Sequence, residues 1–231
     1  MKDTKLIIGD LHCPYMHQDA VKFLTTVKNK YKPQEIVFMG DETDGHAISF
    51  HEHNPDLPSA GDELNNAIKQ LTPLYKLFPK AVILESNHGS LIYRKALDAG
   101  LPSAVLKGYR EILKAPIGWV WKFDHIIKTS RGQVYTHHGK TSSIGKLSQN
   151  MAMSSIQGHF HSKFYISYWA SPVGLFWDSN VGCLVDYKSR AADYGKNFVN
   201  KPILGCMIIE DGVPHLIPMN LTKAGRWTGK L

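Results

Sequence analysis

Five short segments of this chain place aspartate, asparagine and histidine at spacings that can bind metal ions. The first is Gly-Asp-Leu-His, in which Asp10 and His12 follow the apolar run Leu6, Ile7 and Ile8. The other four also follow apolar runs and carry carboxylate, amide oxygen or imidazole groups. They are "GDETD" (Asp41, Asp44), "SNHG" (Asn87, His88), "THHG" (His137, His138) and "GHFH" (His159, His161).

Each segment taken singly is also typical of an ordinary turn or a helix cap. Five of them at five consecutive strand ends are better explained by convergence on one rim, because ligands of open α/β sheets bind at the carboxyl ends of the strands. Asp10 and His12 stand two residues apart, so an extended segment would present both on one side and let them hold one ion.

The types of ligand indicate which metals to expect. Carboxylate, amide oxygen and neutral imidazole suit manganese, iron, zinc, cobalt or nickel better than calcium or a thiolate-bound ion. The candidate ligands outnumber the four of a structural zinc site, and a single ion would leave half of them without partners. The sequence therefore predicts two divalent ions, with manganese as the first choice.

The order of the motifs resembles that of the calcineurin-like metallophosphoesterases. Their pattern D-x-H, G-D-x-x-D, G-N-H, His before Gly, and G-H-x-H runs here over residues 9 to 161, about two-thirds of the chain. The resemblance implies an α/β fold, a four-layer αββα sandwich of two mixed β-sheets flanked by helices. It also implies a dinuclear metal centre at the sheet edge that hydrolyses phosphate esters with metal-activated water.

Carried over position by position, the resemblance implies a role for eight residues. Asp10, His12 and His161 would hold the first ion, Asn87, His138 and His159 the second, and Asp41 would bridge both, while His88 would act on the substrate.

Three positions leave alternatives open. His137 and His138 are both available, and only one of them can face the metals because adjacent strand residues face opposite sides. We prefer His138, which stands directly before Gly139 as in the family. Ser86 replaces the family's usual glycine before Asn-His. Gly89 replaces the usual acid after it, which removes a carboxylate that often supports the site.

Apolar periodicity predicts the elements that position these residues. Helices are expected over 19–30, 62–77 and 143–153, with a helical region broken near Gly100 and Pro102 over 90–114. Strands are expected over 6–8, 36–39, 81–84, 119–123, 125–129, 134–137, 164–169, 174–178 and 203–210, the last reaching a hairpin turn at Asp211-Gly212. The first half thus predicts parallel βαβ units, and the second half a largely β sheet that faces them.

The bulk properties fit one domain over 1–231, with a basic C-terminal tail from about 220. The chain has 231 residues, three widely spaced cysteines and a formal net charge of +7. The apolar run near the first residues is too short for a signal peptide, and the other apolar runs are too short for a membrane span. A cytoplasmic protein with reduced cysteines and no membrane partner is expected.

The positive charge favours a phosphodiesterase or nuclease that acts on nucleic acid or nucleotides. The tail adds Lys223, Arg226, Trp227 and Lys230, which can contact phosphates and stack on bases of a single strand, although scattered surface charge explains the basic residues equally well. A phosphomonoesterase, including a protein Ser/Thr phosphatase, is the alternative among enzymes. A non-catalytic metal-binding scaffold of the same fold is the alternative outside enzymes.

Overall fold

The apolar runs of the first half form parallel strands in the structure, a computed structural model that describes residues 3–50, 56–189 and 199–231. The strands of the described residues are β1 (Thr4–Ile8), β2 (Glu35–Phe38), β3 (Lys80–Leu84), β4 (Gly118–Lys122), β5 (His125–Thr129), β6 (Gly132–His137), β7 (Ser154–Gln157), β8 (Phe164–Ser171), β9 (Gly174–Val181), β10 (Gly205–Glu210) and β11 (Val213–Pro218). The helices are α1 (Ala20–Tyr31), α2 (Ala60–Leu77), α3 (Leu91–Asp98), α4 (Tyr109–Ile112) and α5 (Lys146–Met151), with 3-10 turns at His46–Ile48 and Ser103–Val105.

The strands assemble into two mixed sheets. The first has the order β11-β10-β1-β2-β3-β4, and the second has the order β5-β6-β7-β9-β8. In the first sheet β1, β2, β3 and β4 run parallel, whereas β10 runs antiparallel to β1. In the second sheet β7 runs parallel to β6 and to β9.

Alternation along β1 shows how the layers stack. Leu6 and Ile8 pack with Phe23 and Leu24 of α1, whereas Ile7 packs with Ile156 of the second sheet. A strand buried on both faces needs apolar residues at every position, which is why β1 to β3 are continuous apolar runs. With α5 packed on β7 and β9, the fold is the predicted four-layer αββα sandwich.

The structure corrects how the second half is distributed. The strand predicted at 119–123 adds to the first sheet as β4, parallel to β3, and the strand predicted at 203–210 pairs with β1 as β10. Strand pairing of this kind joins distant residues, so local periodicity does not reveal it. The helix predicted over 143–153 is shorter, because Gly145 and Ala152 adopt positive φ angles of 78° and 51° at its two ends.

The residues of the turn between β10 and β11 predict its conformation correctly. Asp211 and Gly212 join β10 to β11 with positive φ at both residues, 49° and 78°. This confirms the predicted hairpin turn. Among the described residues, no helix is long and apolar enough to cross a membrane.

Candidate metal centre

All five polar segments follow the carboxyl ends of strands. Three leave β1, β2 and β3 of the first sheet, and two leave β6 and β7 of the second. The two sheets face each other, so the polar side chains meet at one rim. The structure brings residues of the predicted segments together there in three overlapping groups, each with ligand atoms within 4.8 Å of one another. The first is Asp10, His12, Asp41 and His161, the second is Asp41, His138 and His159, and the third is His12, Asp44 and His88.

The backbone that carries these residues is unusual. His12, Asp41 and His159 adopt positive φ angles of 49°, 46° and 65°, a region that disfavours side chains other than glycine. Asp10 and His12 therefore do meet, but not as neighbours on an extended segment. The backbone N–H groups of Leu11 and His12 donate to the carbonyl of Asp41 at 3.1 and 2.8 Å, which folds the two loops together.

Two glycines of the motifs are required by close approach. A Cβ on Gly158 would lie 2.5 Å from Oδ1 of Asp10, and a Cβ on Gly40 would lie 2.9 Å from Nδ1 of His138. Each contact is closer than real Cβ atoms allow. The glycines before Asp41 and His159 thus make room for functional groups on neighbouring loops.

The first group contains buried polar atoms that lack partners among the described residues. Nε2 of His12 lies 3.4 Å from Oδ2 of Asp41, and Nε2 of His161 lies 3.0 Å from Oδ2 of Asp10. Oδ1 of Asp10 and Nε2 of His12 have no hydrogen-bond partner within that part of the chain. Buried groups of this kind are normally satisfied, so the arrangement fits a site for a cation.

The second group shares Asp41 with the first. Nε2 of His138 lies 3.2 Å from Oδ2 of Asp41 and 2.8 Å from Oδ1 of Asn87. His159 is exposed at the rim, and its backbone N–H donates to Oδ2 of Asp10 at 2.9 Å. Asp41 is therefore the residue that the first and second groups have in common.

In His138 and His12 the hydrogen bond made by Nδ1 determines which ring nitrogen remains available to a metal ion. Nδ1 of His138 donates to the carbonyl of Met39 at 2.7 Å, and Nδ1 of His12 donates to Oδ1 of Asp44 at 2.6 Å. In a neutral imidazole the lone pair then lies on Nε2, and both Nε2 atoms face oxygen atoms rather than donors. A positive ion between them resolves this conflict, and histidines held in this way are typical metal ligands.

The electrostatics point the same way. Burial alone would lower the pKa of His138, but the charges of Asp41 and Asp10 raise it to about 9. Burial alone would raise the pKa of Asp41, yet His138 and His12 hold it well below the usual range. The rim therefore favours a positive charge beside an ionised Asp41, and the donor set fits a divalent ion.

The neighbouring residue His137 faces a different environment. Its ring contacts Phe123 and stacks on Tyr135, with ring centroids 5.0 and 6.4 Å apart. Its Nδ1 accepts the backbone N–H of Gly139, and burial followed by the charge of Lys140 lowers its pKa to about 4. The structure thus places His138, and not His137, beside Asp41.

His88 lies at the edge of the first group. Its Nδ1 donates to the carbonyl of Asp44 at 2.5 Å, and its ring centroid lies 4.5 Å from that of His12. Its backbone N–H donates to Oδ1 of Asp41 at 3.0 Å. Nε2 of His88 is therefore the atom left to exchange a proton with a bound molecule.

Three residues outside the eight with predicted roles also support the centre. Asp44 orients His12, and its place in "GDETD" could have indicated this. Ser86 accepts the backbone N–H groups of Asp41 and Gly89 at 2.8 and 3.1 Å, so the replaced glycine has gained two hydrogen bonds. Both carboxylate oxygens of Glu42 lie 3.6 Å from the Cβ position of Gly89, so a carboxylate stands beside the position whose acid is absent.

Glu42 is itself unusual. Its Oε1 accepts the indole N–H of Trp121 at 2.9 Å, whereas its buried Oε2 has no partner among the described residues. Burial raises the pKa of Glu42 to about 7. No local sequence signal marks this residue, because Trp121 approaches it from β4.

Two residues of the C-terminal tail, Arg226 and Trp227, make contacts within the domain. Trp227 is 8% exposed and packs edge-on against Phe23 of α1, with centroids 5.6 Å apart. Arg226 donates two hydrogen bonds to Asp19, at 2.8 and 2.6 Å. These two residues fasten the tail to the domain, so Trp227 is not free to stack on a base.

No family model and no curated protein matches the chain. Solved structures do match it over nearly its whole length. YfcE, a phosphoesterase from E. coli, is 13% identical, with 97% of this chain and 96% of that chain covered and a TM-score of 0.52. Vacuolar protein sorting 29 from Cryptosporidium parvum is 15% identical (94% and 96% covered, TM-score 0.47), and the nuclease MPE from Pseudomonas putida is 12% identical (93% and 86%, TM-score 0.36).

At these identities the likeness to YfcE shows the fold alone. The two mixed sheets, their flanking helices and the near-complete coverage agree with the fold that the ordered motifs predict. The chain therefore has the calcineurin-like metallophosphoesterase fold.

Proposed function

We propose that this protein is a metal-dependent phosphoesterase. The observation that carries the proposal is the pair of ligand groups that share Asp41, in which the Nε2 atoms of His12 and His138 face carboxylate oxygens. Asp10, His12 and His161 would hold one ion, and Asn87, His138 and His159 the other. Two divalent ions bound there would supply Lewis acidity toward a phosphoryl group and would lower the pKa of water enough to make a nucleophile at neutral pH. Manganese is the metal that we expect.

The remaining steps belong to residues of the chain. Asp44 holds His12 through Nδ1, and Met39 holds His138 through its carbonyl, so both rings keep Nε2 toward the centre. His88, held through Nδ1 by the carbonyl of Asp44, is placed to give a proton from Nε2 to the leaving oxygen of the ester.

The test is hydrolysis of bis-p-nitrophenyl phosphate and p-nitrophenyl phosphate by purified protein loaded with Mn²⁺. We expect turnover that EDTA abolishes and Mn²⁺ restores. The ratio of the two rates separates a phosphodiesterase, which we expect, from a phosphomonoesterase. Two bound equivalents of metal with no turnover of either ester would instead favour a non-catalytic scaffold.

Nucleic acid or a nucleotide as the substrate is a narrower prediction, supported by the net charge of +7. Binding of single-stranded DNA should then weaken steeply with salt, because lysine and arginine displace counterions from phosphates. Binding that does not change with salt, or no binding, would remove nucleic acid from the proposal.

A further inference from the structure

A cavity of about 550 Å³ lies beside the metal centre, between the first half of α2, α3 and α4. Ligand pockets in proteins have volumes of about 300–1,000 Å³, are mostly apolar and carry a few polar groups that orient the ligand. The size of this cavity therefore suits a small organic molecule. Its walls come from helices that are far apart in the sequence.

The lining is aliphatic. The aliphatic side chains around the cavity include Leu64, Leu91, Ile92, Leu106, Ile112 and Leu113, and the described rings that line it are those of Tyr109 and, on the side of the metal centre, His88. Proteins bind nucleobases by stacking them on aromatic rings and by hydrogen bonds to their edges. A cavity with this lining instead favours a flexible aliphatic chain, which gains free energy by leaving water.

The cavity and the metal centre share a wall. Thr43, His88 and Gly89 line the cavity on the side of the centre, together with Glu42. His88 also contacts the centre, since its ring lies against that of His12 and its backbone N–H reaches Asp41. A molecule whose phosphoryl group lies at the centre can therefore extend past His88 into the cavity.

The two acidic residues that line the cavity, Glu63 and Glu42, differ in whether their carboxylate oxygens have hydrogen-bond partners. The carboxylate of Glu63 accepts the backbone N–H groups of His46 and Ala47, both at 2.8 Å, so it is occupied. Glu42 is 1% exposed, and its Oε2 has no hydrogen-bond partner among the described residues. Of the two acidic residues that line the cavity, Glu42 is therefore the one with an unpartnered oxygen, and it lies beside Thr43, His88 and Gly89 on the side of the metal centre.

We propose that this cavity binds the aliphatic chain of a phosphate-ester substrate, with the phosphoryl group at the metal centre and Glu42 facing a polar atom at the head of the chain. The proposal rests on the phosphoesterase function for its reaction, but the cavity can be tested separately. Nucleic acid is the competing class of substrate.

Gly61 offers a way to fill the cavity. It lies in the first turn of α2, is exposed and lines the cavity, and a Cβ there would meet no described atom within 4 Å. Gly61→Phe therefore places a ring at the wall of the cavity without displacing the described neighbours, and we expect the ring to enter the cavity. Gly61→Ala is the matched control, because it also replaces the glycine of the helix with a better helix former but adds only one carbon.

The first experiment measures kcat/KM for three phosphodiesters, methyl, butyl and octyl p-nitrophenyl phosphate, with Mn²⁺-loaded protein. The leaving group is constant, so the alkyl chain alone changes. We expect kcat/KM to rise roughly two- to fourfold for each methylene that enters the cavity. Gly61→Ala should keep this rise, and Gly61→Phe should flatten it while leaving the methyl ester unchanged.

A second experiment does not depend on catalysis. Calorimetry in EDTA compares octyl phosphate, below its micellar concentration, with ethyl phosphate. We expect the octyl compound to bind the wild type and Gly61→Ala at least tenfold more tightly than it binds Gly61→Phe.

The outcomes separate the two proposals. Hydrolysis of all three esters at equal rates would overturn the cavity proposal and leave the phosphoesterase intact. No hydrolysis of any ester, with octyl phosphate bound as expected, would overturn the phosphoesterase and retain the cavity as an aliphatic site. A thymidine p-nitrophenyl phosphodiester that is hydrolysed faster than the octyl ester, with an advantage that Gly61→Phe removes, would assign the cavity to a nucleobase instead.

Discussion

Two buried acidic residues of this protein, Asp19 and Asp10, have opposite surroundings. Asp19, before α1, accepts two hydrogen bonds from Arg226 and one from the backbone N–H of Trp227. At the metal centre Oδ1 of Asp10 has no partner among the described residues, and Oδ2 of Asp41 faces the ring nitrogens of two histidines.

The difference separates stability from function. At Asp19 the chain supplies every partner, so the cluster can fasten the tail without help. At the candidate centre the chain assembles potential ligands, positive φ angles and buried atoms without partners among the described residues, an arrangement that a bound cation would stabilise. Departures from local rules of this kind are expected at functional sites. Mutations in the two clusters should therefore affect different measurements.

The largest effect is expected for Asp41→Asn. The side chain faces both ligand groups, so a weaker ligand there disturbs both ions. We expect activity to fall by much more than the roughly 10–100-fold typical of residues behind the ligands, with most of the bound metal lost. Metal analysis and turnover measure this effect, and exposed Asp98→Asn is the control. Two retained equivalents of metal with normal turnover would show that Asp41 does not bridge.

His88→Ala should spare the metals but not the reaction. Loss of general acid catalysis costs about 10²–10⁴-fold when the leaving oxygen is a poor leaving group, and clearly less for p-nitrophenolate, which leaves unaided. Rates on an alkyl diester and on a nitrophenyl ester measure this difference. Equal losses on both would assign His88 to electrostatic stabilisation of the phosphoryl group.

His138→Ala and His137→Ala should have different effects, one on metal binding and the other on stability, although the two residues are adjacent. His138 faces Asp41 and Asn87, so its loss should reduce the bound metal from two equivalents to one. His137 packs against Phe123 and Tyr135, so its loss should cost ~1–3 kcal/mol of stability and leave the metal content unchanged. The reverse pattern in metal analysis would shift the ligand to His137.

The smallest effect is expected for Asp19→Asn, and it should depend on pH. The hydrogen bonds of Arg226 outweigh burial and hold the pKa of Asp19 well below its usual range. A depressed pKa stabilises the fold above the unfolded value of about 4 and loses that contribution as the pH falls below it. The variant should melt below the wild type at pH 7, and the gap should narrow on acidification. A gap that does not change with pH would mean that the ion pair contributes nothing.

The strand ends and the residues of the candidate centre could be predicted from the sequence, whereas much of the arrangement of the strands in the sheets could not. Apolar runs that end in Gly-Asp or Gly-His mark where β1, β2 and β7 stop, and parallel strands bring their ends to one edge, so convergence was predictable. The backbone at His12 was not, because its conformation depends on hydrogen bonds to Asp41, far away in the sequence. Placement of β4 and β10, burial of Trp227 and the cavity beside His88 likewise depend on contacts between distant segments.

Anomalous diffraction from crystals soaked in Mn²⁺ tests the central claim most directly. The account predicts two peaks roughly 3.5–4 Å apart, as in other two-metal sites. One should lie among Asp10, His12 and His161, the other among Asn87, His138 and His159, and the carboxylate of Asp41 should contact both. A single peak, or peaks that Asp41 does not touch, would contradict it.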